Sequence, residues 1–98
     1  MALRVELWKG GVLVDGVEEW WDDVESALSA ADGDYPVLTS VSPYGELVIA
    51  PDRLRDLASE SRRLAADAGR AGTLLQKIAD LCQRALAAPD AELRFNGD

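Results

Sequence analysis

The sequence predicts an α+β fold: a small, mostly antiparallel sheet of about four strands with three helices on one face, in the order β-β-α-β-α-α-β. Three observations predict it. Apolar residues alternate with polar ones at both ends of the chain, at Leu3-Val5-Leu7 and at Leu93-Phe95, the period of a half-buried strand. Two long stretches of the second half repeat their apolar residues at helical spacing. Turn chemistry at Gly10-Gly11 and at Ser42-Pro43-Tyr44-Gly45 marks where extended segments reverse or begin. The 98 residues suffice for one domain, residues 1–98, with one modest core.

The first strand carries Leu3, Val5 and Leu7 inward, which sends Arg4, Glu6 and Trp8 to the other face. Gly10-Gly11 supplies the positive φ angles of a tight hairpin, and Val12-Leu13-Val14 begins the return strand. Two endings are open for it: Asp15-Gly16 stops it, or a bulge there carries it on to Trp20. Asp22 followed by Glu25 resembles a capping box, so the first helix starts near Asp22, with Val24, Ala27, Leu28 and Ala31 as its apolar face. An earlier start would add Val17, Trp20 and Trp21 to the same series. Asp32-Gly33-Asp34 ends that helix.

Residues 35–41, YPVLTSV, match neither period. Pro36 argues against a central strand, leaving a buried connector anchored by Val37, Leu38 and Val41. Ser42-Pro43-Tyr44-Gly45 suits a type I turn before a short strand at Leu47-Val48-Ile49. Pro51 opens the second helix, which runs to about Ala68, with Ala50 as a poor cap and Ile49 and Leu54 as a hydrophobic staple. Leu54, Leu57, Ser61, Leu64 and Ala68 form its inner stripe, while Arg53, Arg55, Glu60, Arg62, Arg63 and Asp67 face water. Thr73 and Gln76 make a capping box for a third helix with a broad apolar stripe, Leu74, Leu75, Ile78, Leu81, Cys82, Ala85 and Leu86. Pro89-Asp90 stops it, and Ala91 to Phe95 returns to alternation as the last strand.

Charge narrows the function classes. The chain carries a formal net charge of −8. Residues 1–52 hold 11 acidic and 2 basic residues and residues 53–98 hold 7 and 8, so the excess lies in the front half. No Lys or Arg occurs between Gly10 and Asp52. Such a surface repels phosphate backbones and anionic lipid, which excludes direct nucleic-acid or membrane-surface binding. It attracts a cationic protein, or it serves only to keep the domain soluble. No apolar stretch is long enough to span a membrane, and the N-terminus lacks the apolar segment of a signal peptide. With Cys82 as the single cysteine, the expected setting is a reducing cytoplasm. Eight of the ten basic residues are Arg, an association with GC-rich genomes.

Catalytic constellations are thin. The chain has no His, which removes Ser-His-Asp and Cys-His arrangements and His-based metal sites. Cys82 falls on the inner stripe of the third helix, the place of a structural thiol. The carboxylates from Asp15 to Glu25 lack the spacing of a calcium loop, and Gly69 to Thr73 lacks the Lys of a phosphate loop. We therefore expect no enzyme, no cofactor and no metal.

The remaining candidates are aromatic. Trp8, Trp20 and Trp21 all lie in the acidic front half. Exposed indoles ringed by Glu18, Glu19, Asp22 and Asp23 would compose a partner-binding patch, since aromatics form hot spots and charged rims steer association. Against this stands the reading that at least two of them cap the edges of the core. Tyr44, at a turn tip, presents its hydroxyl to a ligand or closes the core.

The run YPVLTSVSPYGELVIA from Tyr35 to Ala50, the Leu/Arg/Glu-rich helices and the ending ELRFNGD resemble a group of small uncharacterised actinobacterial proteins. Those share a P-L-L…PYG-D-T-V-F segment and an R-F-x-G-D terminus. The resemblance covers about two-thirds of the chain and is most specific at Pro43, Tyr44, Gly45, Phe95, Gly97 and Asp98. Glu46-Leu47 stand where that group carries Asp-Thr, and the tryptophan pair is foreign to it. It implies the fold and an actinobacterial source, and it transfers no site. The expected function is a non-catalytic, acidic protein-interaction module, of inhibitor or immunity type, binding a basic protein; the alternative is a self-associating accessory protein, a homodimer.

Overall fold

The computed structural model describes residues 2–30, 35–41, 45–66 and 69–97. The chain runs β1 (Ala2–Lys9), β2 (Val12–Trp20), α1 (Asp22–Ala30), α2 (Pro36–Thr39), β3 (Glu46–Ile49), α3 (Pro51–Ala65), a single 3₁₀ turn at Gly69–Ala71, α4 (Gly72–Leu86) and β4 (Ala91–Gly97). The strands form one antiparallel sheet in the order β2-β1-β4-β3. The α+β class and the four-stranded antiparallel sheet match the sequence reading; the helix count differs, being four among the described residues.

Alternation sets the sheet's two faces. Leu3, Val5 and Leu7 of β1, Leu93 and Phe95 of β4 and Ile49 of β3 are buried in one core. Against them pack α3 and α4, which bury Leu54, Leu57 and Leu64 from one helix and Leu75, Ile78, Leu81 and Cys82 from the other. Each such side chain contributes about 2 kcal/mol by leaving water, so the helical hairpin and the central strands carry most of the stability. Leu86, read as part of the α4 stripe, is exposed at the helix end instead, and Ala79, not read, is buried.

Gly10 and Gly11 have φ of 57° and 79°, and Lys9 pairs with Val12. That is the left-handed two-residue turn whose twist matches the strands it joins, open to glycine at little cost. β2 does continue to Trp20. Its bulge falls at Val14, where Leu7 pairs with Asp15 and Trp8 with Leu13, not at Asp15-Gly16.

Helix boundaries follow tertiary contacts more than caps. The first helical bond of α1 runs from the Glu25 N–H to the Trp21 carbonyl, so Trp21 holds the cap position and Asp22, Asp23 and Glu25 fill the first turn. Ala50 caps α3 without a side-chain bond and Pro51 follows it, as read; Ile49 and Leu54 are both buried there. The Thr73–Gln76 capping box is not formed: α4 begins at Gly72, fed by the 3₁₀ turn, with Ala71 at the cap. Residues 42–44 of the expected turn, including Tyr44, and the Asp32-Gly33-Asp34 helix end lie outside the described residues. Gly45 is described, with φ of 92°, and its carbonyl accepts the Gly97 N–H at 2.7 Å.

The extra helix has an identifiable cause. Glu60 was expected to face water from α3, yet it is 2% exposed and its carboxylate meets the start of α2. Oε1 accepts the Val37 N–H at 3.1 Å and the Leu38 N–H at 3.0 Å, and Oε2 lies 3.2 Å from the Val37 nitrogen. Pro36 leads the helix and needs no partner for a missing N–H. A carboxylate from another element thus replaces the side-chain cap that Tyr35 does not supply, and the connector folds into a turn of helix. Val37, Leu38 and Val41 are buried, as their apolar character required.

Candidate interaction surface

Alternation leaves one sheet face uncovered. Arg4, Glu6 and Trp8 of β1, Glu18 and Trp20 of β2, and Glu92, Arg94 and Asn96 of β4 stand on the side away from the helices, by register with the buried set. Its centre is a closed polar network. Glu6, 5% exposed, accepts the Trp8 Nε1–H at 3.2 Å and a bond from Asn96 Nδ2, and Arg4 lies 3.7 Å from its other oxygen. The Arg94 guanidinium covers the Trp8 ring at 4.3 Å from its centre while its Nε donates to Glu92 at 3.1 Å. Trp8 is thereby held half-buried under a cation, and its face is already occupied.

The three tryptophans have three fates. Trp21 is 1% exposed and meets Phe95 edge to face, with ring centres 6.1 Å apart. It belongs to the core and leaves the expected binding set, because adjacent residues at a strand-to-helix junction point opposite ways. Trp20 is 66% exposed. Trp8 pairs with Leu13 and Trp20 with Ala2, so six residues of strand separate the two surface indoles, about 20 Å. They do not share one patch.

Around Trp20 the acidic candidates do gather by position. Glu18 lies two residues back on the same face, and Asp22 and Asp23 follow it directly in the exposed first turn of α1, with Glu25 beside them. Glu18 binds the Arg4 guanidinium at 3.1 Å in an exposed pair that contributes little to stability. Glu19 occupies the β2 position opposite Leu3.

Comparison with known protein families, characterised proteins and solved structures finds no match.

A second feature escaped the sequence reading: β2 overhangs the helices. Every residue from Val12 to Gly16 is exposed, Val12 at 64%. Arg84 of α4 reaches across to Asp15, above an open groove of about 260 Å³ between Asp15-Gly16-Val17 and Lys77, Leu81 and Arg84. The Arg84 guanidinium, helped by the Gly16 N–H, holds the Asp15 carboxyl below the usual carboxylate range. Its stabilising contribution is thus present above the unfolded value, near about 4, and lost as pH falls through the lower folded one. In an Arg84→Ala variant the Asp15 titration should move up toward the ordinary value, read by carboxyl carbon NMR. An unmoved titration would show that the pair is not formed in solution.

Cys82 is fully buried in α4, and burial pushes its thiol up to about 12. It should resist thiol reagents in the native protein at neutral pH and react at the unfolding rate. Labelling within seconds under native conditions would contradict this placement. Among the described residues no group of three metal-ligating side chains converges, and no helix is long and apolar enough to cross a membrane.

Proposed function

We propose that the protein is a non-catalytic docking module, of inhibitor or immunity type, that binds a cationic partner protein through the corner where β2 meets α1. One observation carries this reading: Trp20 stands 66% exposed between Glu18 and the Asp22-Asp23 pair. A large exposed indole has no role in the core, which Trp21 already serves. An aromatic anchor surrounded by carboxylates supplies both parts of a docking site, buried contact area and an attractive field that raises the association rate. No Lys or Arg occurs in the chain between Gly10 and Asp52, and the cations that reach this segment, Arg4 at Glu18 and Arg84 at Asp15, come from other elements.

The test is affinity capture with the wild-type protein, with Trp20→Ala and with Glu18→Lys/Asp22→Lys, at low ionic strength and at about 1 M salt, where screening acts within about 3 Å. A captured basic protein should be lost in both variants and in salt. Removal of the anchor should cost about 2 kcal/mol or more of binding. Equal recovery from all three proteins would refute the reading. A second reading, self-association, is favoured by the exposed Val12, Leu13 and Val14 on an edge that no described strand pairs. It predicts a dimer in sedimentation at high micromolar concentration, and a monomer would end it.

A further inference from the structure

We propose that the outer edge of β2 accepts an extended, Lys- or Arg-bearing segment of a partner protein as a fifth strand of the sheet. This rests on the docking reading above and specifies how the partner's chain is held.

The sheet has two free edges of very different kinds. β3 is four residues long, whereas β2 offers nine and, among the described residues, pairs only with β1. An unpaired strand edge is a row of main-chain donors and acceptors, and an added strand satisfies them at regular spacing. β2 is also accessible on its faces, since from Val12 to Gly16 no residue is covered. Val12, Leu13 and Val14 present apolar side chains there that a neighbouring strand would shield.

Charge selects the occupant. β2 carries Asp15, Glu18 and Glu19 and no cation. A second copy would bring one chain of formal charge −8 against another, which disfavours self-pairing. A cationic strand is attracted by that net charge and would share Glu18 and Asp15 with Arg4 and Arg84, which already pair with them.

The open face even shows where a cationic side chain would rest. Gly16 has no side chain, and a Cβ there would stand 3.2 Å from the Val5 carbonyl oxygen. This leaves a hollow of about 350 Å³ bordered by Leu13, Glu18, Glu6 and Arg4. Arg4 already places its guanidinium 3.1 Å from Glu18 at this rim. A Lys or Arg from an added strand would lay its stem on Leu13 and share the exposed Glu18 carboxylate with Arg4.

The probe is a labelled nine-residue peptide alternating Val with Lys, added to the full chain. Two controls accompany it, the same peptide N-methylated at alternate residues and one alternating Val with Glu. The Val/Lys peptide should bind, weakening about tenfold with a moderate rise in salt. N-methylation should weaken binding by about tenfold or more, because it removes main-chain donors and leaves the charge. Alternate β2 amides should exchange about tenfold more slowly when the peptide is bound, with β3 amides unchanged.

Unaltered binding after N-methylation, protection on β3 in place of β2, equal binding of the Val/Glu peptide, or no binding of any peptide would each overturn strand addition. So would a dimer that Val14→Lys dissociates, which would assign the edge to a second copy. None of these peptide outcomes bears on capture through Trp20, whose failure is read separately from the Trp20→Ala and charge-reversal variants.

Discussion

Replacing Glu60 with Ala should destabilise the protein by about 3–5 kcal/mol, because it strands two buried backbone donors and leaves a void. The Val37 and Leu38 N–H groups end on the Glu60 carboxylate at 3.0–3.2 Å. With Glu60 2% exposed, water cannot take its place without reopening the packing around α2. Each orphaned donor costs about 1–3 kcal/mol. Glu60→Gln keeps one acceptor oxygen and should cost about 1–2 kcal/mol. Against a total stability of about 5–15 kcal/mol, the Ala variant falls close to the edge of folding. Urea unfolding followed by circular dichroism measures the loss, and amide exchange at Val37 and Leu38 locates it. A change under about 0.5 kcal/mol would show that α2 stands without this carboxylate.

The second large effect separates two neighbours. Trp21→Ala should cost about 3–5 kcal/mol, the range for emptying the site of a buried aromatic. The indole is 1% exposed, edge-on to Phe95, and it also sits at the cap of α1, so its loss loosens the helix entry as well as the core. Trp20→Ala, one residue away, should change stability by no more than about 0.5 kcal/mol. Denaturant midpoints for the pair decide the matter. Equal losses would mean that Trp20 is structural and would take away the anchor of the docking reading.

Much of the fold was legible because its rules are local. Alternation at Leu3-Val5-Leu7 and Leu93-Phe95, glycines at the hairpin, Pro51 at a helix start and the stripe from Leu74 to Ala85 each depend on a few neighbouring residues. Misreadings arose where a distant partner decided. Glu60 lies at a helix position that solvation would claim, and it turns inward because α2's free N–H groups are nearby. Thr73 and Gln76 spell a cap that goes unused, because the 3₁₀ turn and the packing of Ala71 start α4 earlier. The candidate site shows the same division. Carboxylates flanking Trp20 were visible as neighbours in the chain, but the separation of Trp8 from Trp20 and the burial of Trp21 needed the register of β1 with β2.

By itself the sequence determined the class of fold, most strand and helix positions, the inward set of apolar residues and the anionic front half. Those follow from periodicity and composition, which any short window of chain displays. Only the tertiary structure decided the strand order β2-β1-β4-β3, the overhang of β2, the capping of α2 by Glu60 and which indole meets water. Each of these is a pairing between residues far apart in the chain, and its free energy appears only when the whole core closes around it.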